Sequence, residues 1–190
     1  ELFIRSLRYL IFLKKDSSNM NYKLIDVGTG AGIPSIPIKI FYPEISLSLC
    51  EPSQKKCSFL EEVIKNLNLS NINIENERAE NLGQSSKRES YDFVLTRALA
   101  KLPTLAELTL PLVKVGGKVI TAKGKFPKVE IDESNYISEI LGSKKTLVEK
   151  VTIPNSLPTD HFIIWEKYKS TPENFPRRNG IPKKRPIVSE

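Results

Sequence analysis

Apolar residues fall along this chain in short runs of two periods, and their alternation sets the expected architecture. Residues 2–13 place Phe3, Leu7, Leu10 and Ile11 at helical spacing, which predicts one helix. Residues 17–22 read as a loop. Residues 23–27 form a short apolar strand that runs directly into Gly28-Thr29-Gly30-Ala31-Gly32. A helix follows, in which Pro34 and Pro37 are tolerated only near the first turn. Residues 45–49 alternate as a second strand that ends at Cys50-Glu51, and Ser53 opens a helix with Cys57, Leu60, Ile64 and Leu67 on one stripe. Residues 72–74 and 91–96 are the third and fourth strands, 102–112 a helix, and 118–122 a fifth strand entered by a turn at Gly116-Gly117. Residues 148–153 and 161–166 form a late strand pair.

Strands that alternate with helices imply right-handed crossovers and a mostly parallel sheet covered on both faces. The loop 154–159 is too short for a crossover helix, so the late pair is expected to be an antiparallel hairpin at the sheet edge. The fold class is therefore α/β and Rossmann-like, a mostly parallel seven-stranded sheet with an antiparallel edge hairpin. Three parts are expected: an N-terminal helical remnant (1–20), the main domain (21–168) and a basic tail (169–190).

Composition narrows the classes. At 190 residues, 39% hydrophobic and 27% charged, the chain is an ordinary globular protein. No apolar run approaches the roughly 18 residues of a membrane span, and none carries signal-peptide flanks. Two cysteines and one histidine build neither a disulfide framework nor a His-rich metal centre, so no metal is expected. The net charge is +7, and residues 169–190 hold six cations against Glu173 and Glu190. Such a Pro-rich basic segment is expected to lie extended on the surface, as a solvated tail or as a phosphate-contacting arm. The chain opens at Glu1, without methionine and inside a helical pattern, which predicts a further N-terminal piece.

The strongest chemical signal is the strand–glycine-loop–helix at Asp26-Val27-Gly28-Thr29-Gly30-Ala31-Gly32. Glycines admit positive φ and let a ligand approach the backbone. The spacing is G-x-G-x-G, because Ile33 stands where a dinucleotide fingerprint needs its third glycine, which disfavours a nicotinamide oxidoreductase. Glu51 ends the second strand, where a carboxylate accepts hydrogen bonds from ribose hydroxyls. Loop and acid together point to an adenosine-type cofactor. The two cysteines read as buried residues, His161 as structural, and Asp26 as a support for the glycine loop.

The G-x-G-x-G spacing resembles the first motif of class I S-adenosylmethionine-dependent methyltransferases. Residues Asp26 to Pro34, Lys56 to Val63, Arg78-Ala79-Glu80, Thr96-Arg97-Ala98 and Pro176-Arg177-Arg178-Asn179-Gly180-Ile181-Pro182 together resemble the RsmG (GidB) family. The resemblance implies a cytoplasmic, monomeric enzyme that methylates N7 of a guanosine in small-subunit (16S) ribosomal RNA. It implies S-adenosylmethionine as cofactor, held by Gly28, Gly30, Gly32 and Ile33, by Glu51, Pro52 and Ser53, and by Ala79, Glu80 and Arg97. Ala79 and Glu80 match the pair beside the adenine, and Arg97 matches an arginine near cofactor and target base. Arg78, Arg177, Arg178, Lys183, Lys184 and Arg185 are the expected RNA contacts. The chain departs from the family at Leu2-Phe3-Ile4-Arg5-Ser6-Leu7, where relatives carry a histidine and an aspartate.

The fourth strand limits the reaction by itself. It ends in Leu95-Thr96-Arg97-Ala98 and lacks the Asn/Asp-Pro-Pro-aromatic motif of exocyclic amine methylation. Carbon-5 pyrimidine methylation would need a thiolate. Guanine N7 carries an in-plane lone pair and loses no proton, so no general base is expected. Arg97 is then either a structural ion pair or a group that bonds or stacks on the target guanine. Other S-adenosylmethionine-dependent RNA methylation, and a ribosome-binding module without activity, are the alternatives.

Overall fold

Alternating side chains along the central strands divide the core into two layers. In β1 (Lys23–Val27) Leu24 joins one hydrophobic cluster, while Ile25 and Val27 join the other. In β4 (Tyr91–Arg97) Phe93 and Leu95 face the first cluster and Val94 the second. The computed structural model describes residues 1–13, 22–153 and 157–188. The expected loop at 17–22 therefore lies outside them except for Tyr22, as does the centre of the hairpin loop.

The remaining strands are β2 (Ser46–Cys50), β3 (Ile72–Glu75), β5 (Val113–Lys123), β6 (Leu147–Ile153) and β7 (Leu157–Glu166). They form one sheet in the order β3-β2-β1-β4-β5-β7-β6. The first five in that order are parallel, and β7 is antiparallel to both β5 and β6. α3 (Ser35–Phe41) and α4 (Gln54–Asn66) supply Ile36, Ile38 and Leu60 to one layer. α5 (Ala79–Leu82), α6 (Leu102–Thr109) and α7 (Lys128–Ile140) supply Leu82, Leu105 and Ile137 to the other. Strand order reverses between β1 and β4, which opens a crevice at the carboxyl ends of the strands, where open α/β sheets take ligands.

Several expectations are corrected. The N-terminal helix is two pieces, α1 (Leu2–Leu7) and α2 (Leu10–Leu13). Arg8 and Tyr9 donate to carbonyls three residues back, at 3.3 and 3.1 Å, which tightens the turn between them. Its buried face is Ser6, Arg8, Tyr9 and Leu13, whereas Phe3 and Ile11 are exposed. The buried Arg8 meets Asp160 of β7 at 2.5 Å, and Arg5 bonds the same carboxylate. Burial opposes that carboxylate, but the two guanidinium groups outweigh it and hold Asp160 below the ordinary carboxylate range. Leu67 is exposed because α4 ends before it. Gly116-Gly117 lies inside β5 as a bulge, where Tyr91 faces Val113 and Phe93 faces Lys118. A Cβ on Gly117 would stand 2.6 Å from the Asp92 carbonyl oxygen. α7 lies in a stretch for which the pattern predicts no element, because Ser134 and Ser138 sit on its buried face and dilute the apolar period.

The basic tail is also corrected, since it packs against the core. Phe175 joins the α5–α6 layer, Pro182 is buried, and α8 (Ile181–Lys184) is a helical turn. Arg88 donates to the carbonyls of Thr171 and Phe175 at 2.7 and 2.6 Å. Arg177 forms a two-pronged pair with Glu107 of α6, whose carboxylate is 1% exposed. Arg177→Gln leaves that buried charge without its counter-ion, so denaturant unfolding should show a loss of about 3 kcal/mol. Unchanged stability would mean that the tail's other contacts hold it without this pair.

Candidate active site

The carboxyl ends of β1 and β2 build the floor of the site. After Val27, residues Gly28, Gly30 and Gly32 take φ of +70°, +60° and +84°. The turn is fastened to the neighbouring strand, as the N–H groups of Gly28 and Thr29 donate to the Cys50 carbonyl at 2.9 and 3.2 Å. Glu51, 4% exposed, accepts from the N–H of Gly30 at 3.1 Å and of Ser53 at 3.0 Å. A carboxylate offers about four lone-pair sites, so these two bonds leave Glu51 able to accept from a ribose. Asp26 is fully buried beneath the loop and accepts from the Thr29 hydroxyl at 2.8 Å. Burial pushes its carboxyl up to about 6, against the pull of that hydrogen bond.

Above this floor lies a cavity of about 180 Å³. Val27, Gly28 and Cys50 line it from the strands, and Arg78, Ala79 and Glu80 from the start of α5. Leu99, Ala100, Thr104 and Leu108 form the opposite wall, while Gly180 and Lys183 reach in from the tail. A Cβ on Gly28 would stand 2.6 Å from Leu99, so any larger residue there displaces the wall of the cavity. The thiol of Cys50 is pushed up to about 12, chiefly by burial, which makes it a wall residue and no nucleophile.

The structure brings some of the expected site residues together and separates others. Gly28, Ala79, Glu80 and Arg78 line one cavity. Gly32 packs under the loop against Ile36 and Leu60, Ile33 is half-buried, and Pro52 is exposed. Ser53 is the N-cap of α4, and its N–H donates to Glu51. Arg97 ends β4, just before Ala98, whose φ of +51° turns the chain so that Leu99 lies against Gly28. Its Nη1 is buried without a partner among the described residues, so that nitrogen does not form the ion pair that is one of the two readings of Arg97. Arg178 lines a separate open groove of about 620 Å³ beside Asn81 and Gln84. Lys184 and Arg185 are exposed, whereas Arg177 is committed to Glu107. The pattern missed Leu99, Thr104, Leu108 and the tail's approach; only the adjacency of Leu99 to Thr96-Arg97-Ala98 signalled any of these. It also missed Tyr9, whose hydroxyl donates to the Thr96 carbonyl at 2.9 Å and accepts from the Ala122 N–H at 3.1 Å, joining the ends of β4 and β5.

A family model described as "GidB: rRNA small subunit methyltransferase G" matches residues 1–157. The chain belongs to this family. "Ribosomal RNA small subunit methyltransferase G" of Carboxydothermus hydrogenoformans is 39% identical over 186 residues, 97% of this chain and 77% of the relative. The protein of the same name from Alkaliphilus metalliredigens is 43% identical over 165 residues, 86% of this chain and 69% of the relative. Solved structures show the fold more widely. A SAM-dependent O-methyltransferase from Thermotoga maritima superposes with a TM-score of 0.60 at 13% identity, over 90% of this chain and 67% of that one. A Haemonchus contortus phosphoethanolamine-type N-methyltransferase in complex with S-adenosylhomocysteine gives 0.64 at 12% identity, over 87% and 53%. The fold is thus the class I S-adenosylmethionine-dependent methyltransferase fold, and the family's cofactor is S-adenosylmethionine. The positive-φ glycines and the spare acceptor capacity of Glu51 fit that molecule, and the cavity beside Gly28 has room for part of it. No helix among the described residues is long and apolar enough to cross a membrane.

The titration of Asp26 gives a test of the loop. Between the ordinary value of 3.8 and about 6 the folded protein keeps a proton that the unfolded chain has lost. That proton stabilises the fold at low pH, and its contribution disappears as pH rises through 6. Asp26→Asn removes the titration. Its unfolding free energy should therefore rise against the parent's by up to about 3 kcal/mol between pH 4 and 7, then stay level. A difference that does not change with pH would show that Asp26 is not titrating there.

Proposed function

We propose that this chain transfers the methyl group of S-adenosylmethionine to N7 of a guanine in small-subunit ribosomal RNA. The observation that carries this reading is the cavity lined by Gly28 of the glycine loop, by Ala79 and Glu80 and by Leu99 just after β4. The bound cofactor supplies a sulfonium methyl, an electrophile that transfers without proton removal. Gly28 would admit its methionine part, Glu51 would accept from the ribose, and Ala79 with Glu80 would flank the base.

The protein's own task is alignment. Guanine N7 attacks through an in-plane lone pair, so proximity and orientation, which supply roughly 7–11 kcal/mol in favourable cases, replace acid–base chemistry. Asp26 is bonded to Thr29 below the loop and is no base for the substrate. Arg97 offers planar donors that would bond the guanine carbonyl oxygen and leave N7 free. Arg178, Lys184 and Arg185 are exposed cations of the tail and would meet RNA phosphates.

Two measurements test the reading. Calorimetry should show micromolar binding of S-adenosylhomocysteine and none of NADH; the reverse would refute it. The Arg178→Gln, Lys184→Gln and Arg185→Gln triple variant should bind small-subunit RNA more weakly. Its plot of log affinity against log salt should be shallower by about 0.7–0.9 for each phosphate that the variant no longer neutralises. Equal affinity and slope in variant and parent would make the tail's outer face solvated surface only.

A further inference from the structure

The tail does more than present cations to solvent. Three anchors hold residues 176–184 against the mouth of the cofactor cavity. The Gly180 N–H donates to Glu80 at 2.9 Å, which ties the turn to α5. The Thr104 hydroxyl donates to the Pro182 carbonyl at 3.2 Å, which ties it to α6. Arg177 pairs with the buried Glu107 and also donates to the Arg185 carbonyl at 2.8 Å, closing the turn on itself. As a result Gly180 and Lys183 line the same cavity as Gly28, Ala79 and Leu99.

The sheet order tells which end of the cavity the turn covers. Gly28 follows β1, Glu51 follows β2, and Ala79-Glu80 follow β3, the strand at the sheet edge. A ribose at Glu51 therefore places its base on the β3 side, next to Glu80. The turn is bonded to Glu80 itself. We propose that residues 176–184 form part of the cofactor site and close its adenosine end, with the Lys183 ammonium donating to adenosine acceptors. An ammonium has three donors and no acceptor, while the adenosine part offers ring nitrogens and ribose oxygens. A charged donor makes the stronger kind of hydrogen bond to such groups. This assignment rests on the reading of the cavity as a cofactor site. It gives the tail two faces: Lys183 turned to the cofactor, Arg178 and Arg185 to the RNA.

The test compares two ligands on the full chain by calorimetry: S-adenosylhomocysteine, and 5′-methylthioadenosine, which has no amino-acid part. Lys183→Gln should weaken both by the same factor, on the order of tenfold, and Lys183→Arg should restore most of the affinity. Lys183 is exposed, so the unfolding transition of either variant should match the parent's. Undiminished affinity for both ligands in Lys183→Gln would overturn the assignment. A loss confined to S-adenosylhomocysteine would also overturn it, because the lysine would then face the amino-acid end. A parent chain that binds neither ligand would instead refute the cofactor reading, and this assignment with it.

Discussion

One buried carboxylate organises the site. Glu51 takes the N–H of Gly30 on one oxygen and the N–H of Ser53 on the other, so it fixes the glycine loop and the start of α4 together. Bonds from backbone donors to an ionised acceptor are about twice as strong as neutral ones. At 4% exposure they have little competition from water. Lys56, 57% exposed and 3.5 Å away, adds little to them. The loop geometry that results sets Gly28 directly against Leu99, and both line the cavity. Everything proposed about the cofactor depends on that cavity.

A second group of buried charges sets the periphery. Asp160 receives Arg5 and Arg8, which seats the N-terminal helices at the carboxyl end of β5 and the amino end of β7 and brings Tyr9 between Thr96 and Ala122. Glu107 receives Arg177 and seats the tail on α6. Glu89 receives the buried Lys167 at 2.7 Å, where the tail leaves β7. Such pairs contribute little net stability against an apolar core of the same shape, but breaking one is costly. Their effect here is to fix the position of the chain's two ends against the crevice.

The strand–loop–helix segment was legible because strand period, glycine spacing and terminal acid coincide within about thirty residues, the length of one βαβ unit. The parallel order and the late hairpin followed from loop lengths, which local sequence does record. What stayed hidden depends on distant partners. Nothing around Arg177 reveals that it answers Glu107, seventy residues earlier. The buried face of α1 and α2 is set by Asp160 and not by the apolar stripe of Phe3 and Ile11. A basic, proline-rich composition reads as surface, yet Phe175 and Pro182 are buried and Gly180 lines the cavity. From sequence alone the bulge at Gly116-Gly117 reads as a turn, because both need glycine.

If alignment alone, with no general base, directs the methyl group, a single nucleoside product follows from the reaction. Small-subunit ribosomal RNA can be incubated with the chain and methyl-labelled S-adenosylmethionine, then digested to nucleosides and resolved by mass spectrometry. The label should appear in 7-methylguanosine. Label in an exocyclic-amine or carbon-5 product, or none at all from a chain that binds both the cofactor and the RNA, would refute alignment on N7 as the mechanism.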